Sequence, residues 1–187
     1  MKYLIAGLGN IGPEYADTRH NVGFKVLDAL AKASNAVFCS DRYGSITEVK
    51  HKGHILFLLK PSTFMNLSGK AVSYWMKMEK IPIENVLVVV DDVALLFGTL
   101  RMRTRGSDGG HNGLRHITEI LGTDAYARLR FGIGDDFPRG FQVNHVLSEW
   151  TPEEKTLLPE KIDAAVEAVK SFAAIGPERT MNLYNKR

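Results

Sequence analysis

Histidine is the side chain that gains or loses a proton most easily near neutral pH, and the segment Tyr15-Ala16-Asp17-Thr18-Arg19-His20-Asn21 sets His20 just ahead of an amphipathic stretch. Far along the chain, Asp91 and Asp92 directly follow the apolar run Val86 to Val90. Acids at the carboxyl end of a buried strand are poorly explained by solubility. One of them can accept an imidazole N–H, which fixes the tautomer and stabilises the imidazolium when the opposite nitrogen takes a proton from water. The plainer alternatives are that His20 or Asn21 caps the following helix and that the acid caps a turn.

Two segments add amide and anion chemistry. Gly106-Ser107-Asp108-Gly109-Gly110-His111-Asn112-Gly113 is a glycine-rich loop running into a helix, with Arg101, Arg103 and Arg105 just upstream. Backbone N–H groups at such a helix start can hold a phosphate or an oxyanion. The stretch Pro61 to Gly69 places Asn66 before another helix, where on its own it reads as a cap. Gly7-Leu8-Gly9-Asn10-Ile11-Gly12 fits G-x-G-x-x-G, with Asp28 downstream. A dinucleotide site, however, needs a helix to open at the motif, and here Pro13 and polar residues intervene while Asp28 falls inside the first predicted helix. A tight strand-to-loop turn that projects the Asn10 amide into a cleft fits better. His20, His111 and Asp91 are metal-ligand types without recognisable ligand spacing, so no metal is expected. The signatures of serine hydrolases, zincins and thiol redox enzymes (G-x-S-x-G, H-E-x-x-H, C-x-x-C) do not occur.

The elements that must position these groups alternate between strand and helix. Lys2 to Ala6 is an apolar strand, and Val22 to Ser34 repeats Val22, Val26, Leu27, Leu30 and Ala31 at helical spacing. Ser45 to Lys50 and His54 to Leu59 flank a Lys52-Gly53 turn as a hairpin. Ser68 is expected to cap a helix with Val72, Trp75 and Met76 on its inner face, ending before Pro82. Val86 to Val90 has the β-branched continuity of a central strand covered on both faces. Strands at Thr99 to Thr104 and Leu129 to Ile133 bracket a helix from about Asn112 to Leu121, and a last helix runs from Pro152 to about Ala174 with a kink or break at Pro159. The whole reads as α/β: a single three-layer domain over 1–187, its mixed, largely parallel twisted sheet flanked by helices and its ligands gathered at the carboxyl ends of the central strands.

Composition agrees. With 187 residues, 44% hydrophobic and 24% charged, the chain suits one globular domain. No apolar run reaches the ~18 residues of a membrane span, the N-terminus lacks the apolar region of a signal peptide, and Cys39 is the sole cysteine, so a cytoplasmic protein is expected. The net charge of +3 announces no nucleic acid by itself, but Arg101, Arg103, Arg105 and Arg115 cluster against Asp108 alone, a local field suited to phosphates.

Taken together, GLGN at 7–10, YADTRHNVG at 15–23, KPSTFMNLSGKAV at 60–72, VVVDD at 88–92, GSDGGHNGLRHI at 106–117 and RLRFGIG at 128–134 resemble the bacterial-type peptidyl-tRNA hydrolases, in family order and spacing. The C-terminal helix and the ending MNLYN at 181–185 extend the resemblance over nearly the whole chain. It implies cofactor-free hydrolysis of the ester joining a peptide to the 3′-terminal ribose of tRNA, with His20 as general base, Asp91 as its partner, and Asn10, Asn66 and Asn112 positioning substrate, water and oxyanion. It further implies that Tyr15 and His111 touch the substrate's end, that Phe64 is a further substrate- or tRNA-binding residue, and that Arg101, Arg103 and Arg130 face tRNA phosphates, the helix opening near Asn112 offering another anion site. Peptidyl-tRNA is the expected partner, with no membrane, no obligate protein partner and a monomeric state. Asp135 to Glu149 resembles the family's mobile cover over the cleft.

The chain departs from the family pattern at Ile11, where proline is common, and at Ala94, Leu96 and Phe97, which replace an acid and prolines in the loop after Asp91. Two rival classes remain at this point. A non-catalytic RNA-binding protein would keep the basic patch and dispense with His20 and Asp91; a nucleotide-dependent oxidoreductase would need the helix missing after Gly12.

Overall fold

The computed structural model describes residues 1–185. Its strands are β1 (Lys2–Gly7), β2 (Cys39–Asp41), β3 (Gly44–His51), β4 (His54–Pro61), β5 (Val86–Asp92), β6 (Leu100–Arg103) and β7 (Ala127–Gly132). Its α-helices are α1 (Val22–Ala33), α2 (Ser68–Met78), α3 (Asn112–Leu121), α4 (Gln142–Val146), α5 (Pro152–Ile175) and α6 (Pro177–Tyr184). The strands form one mixed sheet in the order β2-β3-β4-β1-β5-β7-β6. The four central strands run parallel, and the outer ones pair antiparallel.

Two apolar clusters, one on each face, make the layers. Leu87 and Val89 of β5 look toward α1 and α5, while Val86, Val88 and Val90 look toward α2 and α3. The period of two therefore sends Asp91 to the α1 face and Asp92 to the other. The same alternation sorts the sheet's far edge: Leu100 and Met102 of β6, with Leu129 and Phe131 of β7, belong to the α1 side cluster. Arg101, Arg103, Arg128 and Arg130 accordingly share the opposite face, with Arg101 directly across from Arg130 and Arg103 from Arg128.

Three local expectations are corrected. Ser68 does not cap α2; the N-cap is Leu67, without a side-chain bond, and the Ser68 hydroxyl donates to the Met65 carbonyl at 2.7 Å because a 3-10 turn, Met65–Leu67, leads straight into the helix. Pro159 does not break α5, which is continuous over 24 residues. Its apolar stripe, Leu158, Ile162, Ala165, Val166 and Val169, is buried along the sheet and α1, and this packing outweighs one lost backbone bond. Asn21 occupies the N-cap position of α1, but its side chain is turned elsewhere.

Where β1 ends, α1 begins in near contact with it. A Cβ on Gly7 would stand 2.3 Å from the Gly23 carbonyl oxygen, and one on Gly23 would stand 2.5 Å from the Leu8 nitrogen. This approach fixes the start of α1, and with it His20, against the central strands. Gly23→Ala is expected to cost about 1–3 kcal/mol as an overpacked contact and to lower the melting temperature by several degrees. An unchanged melting temperature would mean that α1 can slide and that its register does not depend on this pair.

Candidate active site

A buried carboxylate organises the site. Asp91, at the carboxyl end of β5, is 5% exposed, and its oxygens lie 3.0 Å from His20 Nδ1 and 2.9 Å from His111 Nε2. Because a carboxylate only accepts, both facing nitrogens carry protons. His111 is pinned from behind as well: it is the N-cap of α3, and its Nδ1 accepts from the Gly113 and Leu114 N–H groups. His20 has no such second bond. Its Nε2 makes no hydrogen bond to the described residues, and in the neutral imidazole that nitrogen carries the lone pair.

Electrostatics follow the same geometry. Burial works against the His20 imidazolium, but the charge and hydrogen bond of Asp91 outweigh it and raise the imidazole above its ordinary value. For Asp91, burial pushes the carboxyl up, and the two imidazoles more than reverse this, holding it well below the usual carboxylate range. Asp91 is therefore ionised at neutral pH.

His20 stands between two hollows. One, about 270 Å³, is lined by Asn10, His20, Phe64, Met65, Asn66, Asn112, Val143, Val146 and Leu147. The other, about 240 Å³, is bounded by His20, Asp91, His111, Asn112, Arg130 and part of α4. Asn10, Asn66, Asn112, Phe64 and His111 are thus gathered around one imidazole, although they come from three different connections of the chain. Tyr15, half-buried in the 3-10 turn Pro13–Tyr15, lines neither hollow.

Each amide has its own support. Asn10 Oδ1 accepts the Met65 N–H at 2.8 Å, which leaves the Nδ2 end of Asn10 as a donor for the cleft. Asn21, which the sequence marked only as a capping candidate, grips the Asn10 backbone by both its N–H and C=O at 2.9 Å. A polar residue of a strand-to-helix loop that turns inward leaves no signal in hydrophobic periodicity. Phe64 has φ 59° and ψ 160°, an uncommon conformation for a side chain of its size, and it turns the chain so that Met65 reaches Asn10 while Asn66 stays exposed.

The helix opening at Asn112 is not a free anion site as expected, since His111 occupies the Gly113 and Leu114 donors. Among the arginines, Arg103 is exposed and Arg101 half-buried on the edge strand. Arg130 spans from Asp92, at 3.4 Å, to the Ser107 carbonyl, at 2.9 Å. Arg128, which sequence reasoning passed over, is wholly buried and holds the carbonyls of Gly106, Asp124 and Tyr126, tying down the loop that delivers His111. His20, Asp91 and His111 also lie close enough to share a metal ion. In the present arrangement the same nitrogens donate protons to Asp91 instead.

The sequence profile of the peptidyl-tRNA hydrolase family matches residues 4–187. Peptidyl-tRNA hydrolases of Bacteroides fragilis and Phocaeicola vulgatus are 61% and 62% identical to this chain, over all of both sequences. The crystal structure of peptidyl-tRNA hydrolase from Acinetobacter baumannii superposes with a TM-score of 0.91 at 37% identity, covering 98% of this chain and 94% of that one.

The Asp91 contact has a direct spectroscopic consequence. His20 is expected to titrate above the ordinary imidazole value of about 6.5, and in Asp91→Asn to fall below it, because burial is then unopposed. Titration of the imidazole nitrogen shifts by NMR measures both. A His20 value that does not fall in Asp91→Asn would show that the carboxylate does not govern its basicity.

Proposed function

The chain belongs to the peptidyl-tRNA hydrolase family and hydrolyses peptidyl-tRNA, and we propose that it does so by general-base attack of water on the ester, with His20 as the base. The observation that carries this reading is the pairing of His20 Nδ1 with buried Asp91, which leaves Nε2 free at the junction of the two hollows. In the proposed reaction Nε2 takes a proton from water as the water oxygen adds to the ester carbonyl carbon. The resulting oxyanion is stabilised by amide donors, for which the free Nδ2 of Asn10 and the amides of Asn66 and Asn112 are the candidates. Collapse breaks the bond from the acyl carbon to the 3′-ribose oxygen, which recovers the proton from His20 and leaves free peptide and free tRNA.

Asp91 stays ionised throughout and keeps the imidazolium oriented. His111 supports Asp91 from the other face and borders the substrate. Phe64 offers an exposed ring at the mouth of the amide-lined hollow, and Tyr15 is assigned to a more distant part of the substrate. Arg101, Arg103 and Arg130 share one face beside the cleft and are assigned to tRNA phosphates. Phosphate contacts carry no base sequence, which suits an enzyme that accepts many tRNAs. The reading includes no metal or organic cofactor, a single catalytic domain over 1–187, a monomer without an obligate protein partner and a cytoplasmic location. No helix among the described residues is long and apolar enough to cross a membrane.

With N-acetyl-aminoacyl-tRNA as substrate, in EDTA, wild type is expected to release tRNA and to spare the free-amine aminoacyl-tRNA. His20→Ala should lose about 10²–10⁴-fold in turnover while binding tRNA as tightly as wild type. Near-normal turnover in that variant would remove His20 from the role of base. Arg103→Ala should weaken tRNA binding and shallow the log-log salt dependence by about one unit; an unaltered salt slope would place Arg103 away from the phosphates.

A further inference from the structure

His20 shares its 3-10 turn, Arg19–Asn21, with an arginine that bonds not to Asp91 but to the 145–154 segment. Arg19 is 6% exposed, an unusual place for a cation next to the base of the site. Its Nη2 pairs with Glu154 at 3.0 Å, and Glu154 is at the same time the capping-box acid that closes the start of α5. Its Nη1 donates to the His145 carbonyl at 3.1 Å and to the Ser148 hydroxyl, which in turn donates to the same carbonyl. The guanidinium also lies over the Trp150 ring, 5.9 Å from its centre.

The recipients of these bonds matter because of what they hold. The segment 141–148 contains α4, none of whose residues is buried. Yet Val143, Val146 and Leu147 wall the hollows around His20. So little apolar burial cannot fasten five helical residues in one position. Apart from Val146 against the core and the His145 ring stacked on Phe137, the fastening is polar: Arg19 side chain to His145 and Ser148, the Arg19 N–H to the Ser148 carbonyl at 3.0 Å, the Thr18 to Glu149 bridge, and His145 Nε2 at 3.1 Å from the Ile133 carbonyl.

We propose that Arg19 is a positioning residue for the hydrolysis: it pins the 141–148 wall to the turn that carries His20, so that the base and the wall that grips the substrate keep one register. The inference rests on the reading of His20 as the base. Arg19 touches neither His20's free nitrogen nor Asp91, so its effect falls on substrate grip rather than on basicity.

The test compares Arg19→Met, Arg19→Lys and Ser148→Ala with wild type by amide hydrogen exchange and by steady-state hydrolysis of N-acetyl-aminoacyl-tRNA. Loss of charged hydrogen bonds should speed exchange of amides 141–148 by about tenfold or more in Arg19→Met, with partial rescue by Arg19→Lys and a smaller effect in Ser148→Ala. KM should rise while kcat and the ascending limb of the pH profile stay as in wild type, the pattern of lost binding rather than lost chemistry. Should Arg19→Met fail to fold, Arg19→Lys and Ser148→Ala carry the same comparison. Unchanged exchange and KM in the folded variants overturn the proposal, as does a fall in kcat with a displaced pH limb. Exchange is read without turnover, so it stands apart from the His20→Ala assay that tests the underlying reading.

Discussion

A buried carboxylate with two imidazole N–H groups on it is the constraint to which the other parts of this structure answer. An isolated buried charge is costly, and Asp91 at 5% exposure is tolerable only because donors reach it. Those donors must come from somewhere, and the end of a central strand is where helices from both faces of a sheet begin. His20 arrives from the α1 side and His111 from the α3 side. Each supply line has its own fastening: the Gly7 and Gly23 contact for α1, the His111 cap and the buried Arg128 for α3. Only His20 keeps a free nitrogen, and that asymmetry between two otherwise similar histidines separates a base from a support.

The second ordering principle is the alternation of a strand. One residue of β5 further on, Asp92 faces the opposite side, where Arg130 meets it. The pattern Leu-Arg-Met-Arg on β6 and Arg-Leu-Arg on β7 buries its apolar members against the α5 layer and turns four arginines the other way. Their fates differ. Arg128 spends its donors on backbone carbonyls and so becomes scaffold, whereas Arg103 remains exposed. Counting arginines in the sequence could not separate these roles, because burial is decided by which loop folds over the strand.

What was legible in the sequence follows from where the signal is local. The VLVVV run, the period of α1 and the Lys52-Gly53 turn each express backbone and burial preferences within a few residues, and the elements formed where those preferences pointed. His20, Asp91 and the asparagines were legible through the resemblance of whole motifs rather than through any single spacing. The Asn21 clamp, the Arg19 anchor and the His111 cap were not, for a common reason: each is a polar side chain whose partners, the Asn10 backbone, the 145–154 segment and the first turn of α3, leave no trace in the periodicity of apolar residues. The short β2 was missed because Cys39–Asp41 is exposed throughout and carries no alternation.

The loop after Asp91 shows how the departures from the family pattern are absorbed. Ala94 contributes its N–H to the Asp92 carboxylate at 2.9 Å, a bond open to every residue but proline at that position. Leu96 is 79% exposed and carries no contact on which Asp91 depends. Phe97 turns inward and packs edge-on to Phe131 and Trp150. The path is set by the backbone: Gly98 and Gly132 bond to the β7 and loop carbonyls, and a Cβ on Gly132 would fall 2.0 Å from the Leu96 carbonyl oxygen. Glycine at 132 therefore lets the Leu96 carbonyl lie against the end of β7, an approach that any side chain there would block. Since Asp91 is held by β5 on one side and two histidines on the other, side chains at 94 and 96, which make no contact with it, can change without displacing the carboxylate that sets the base.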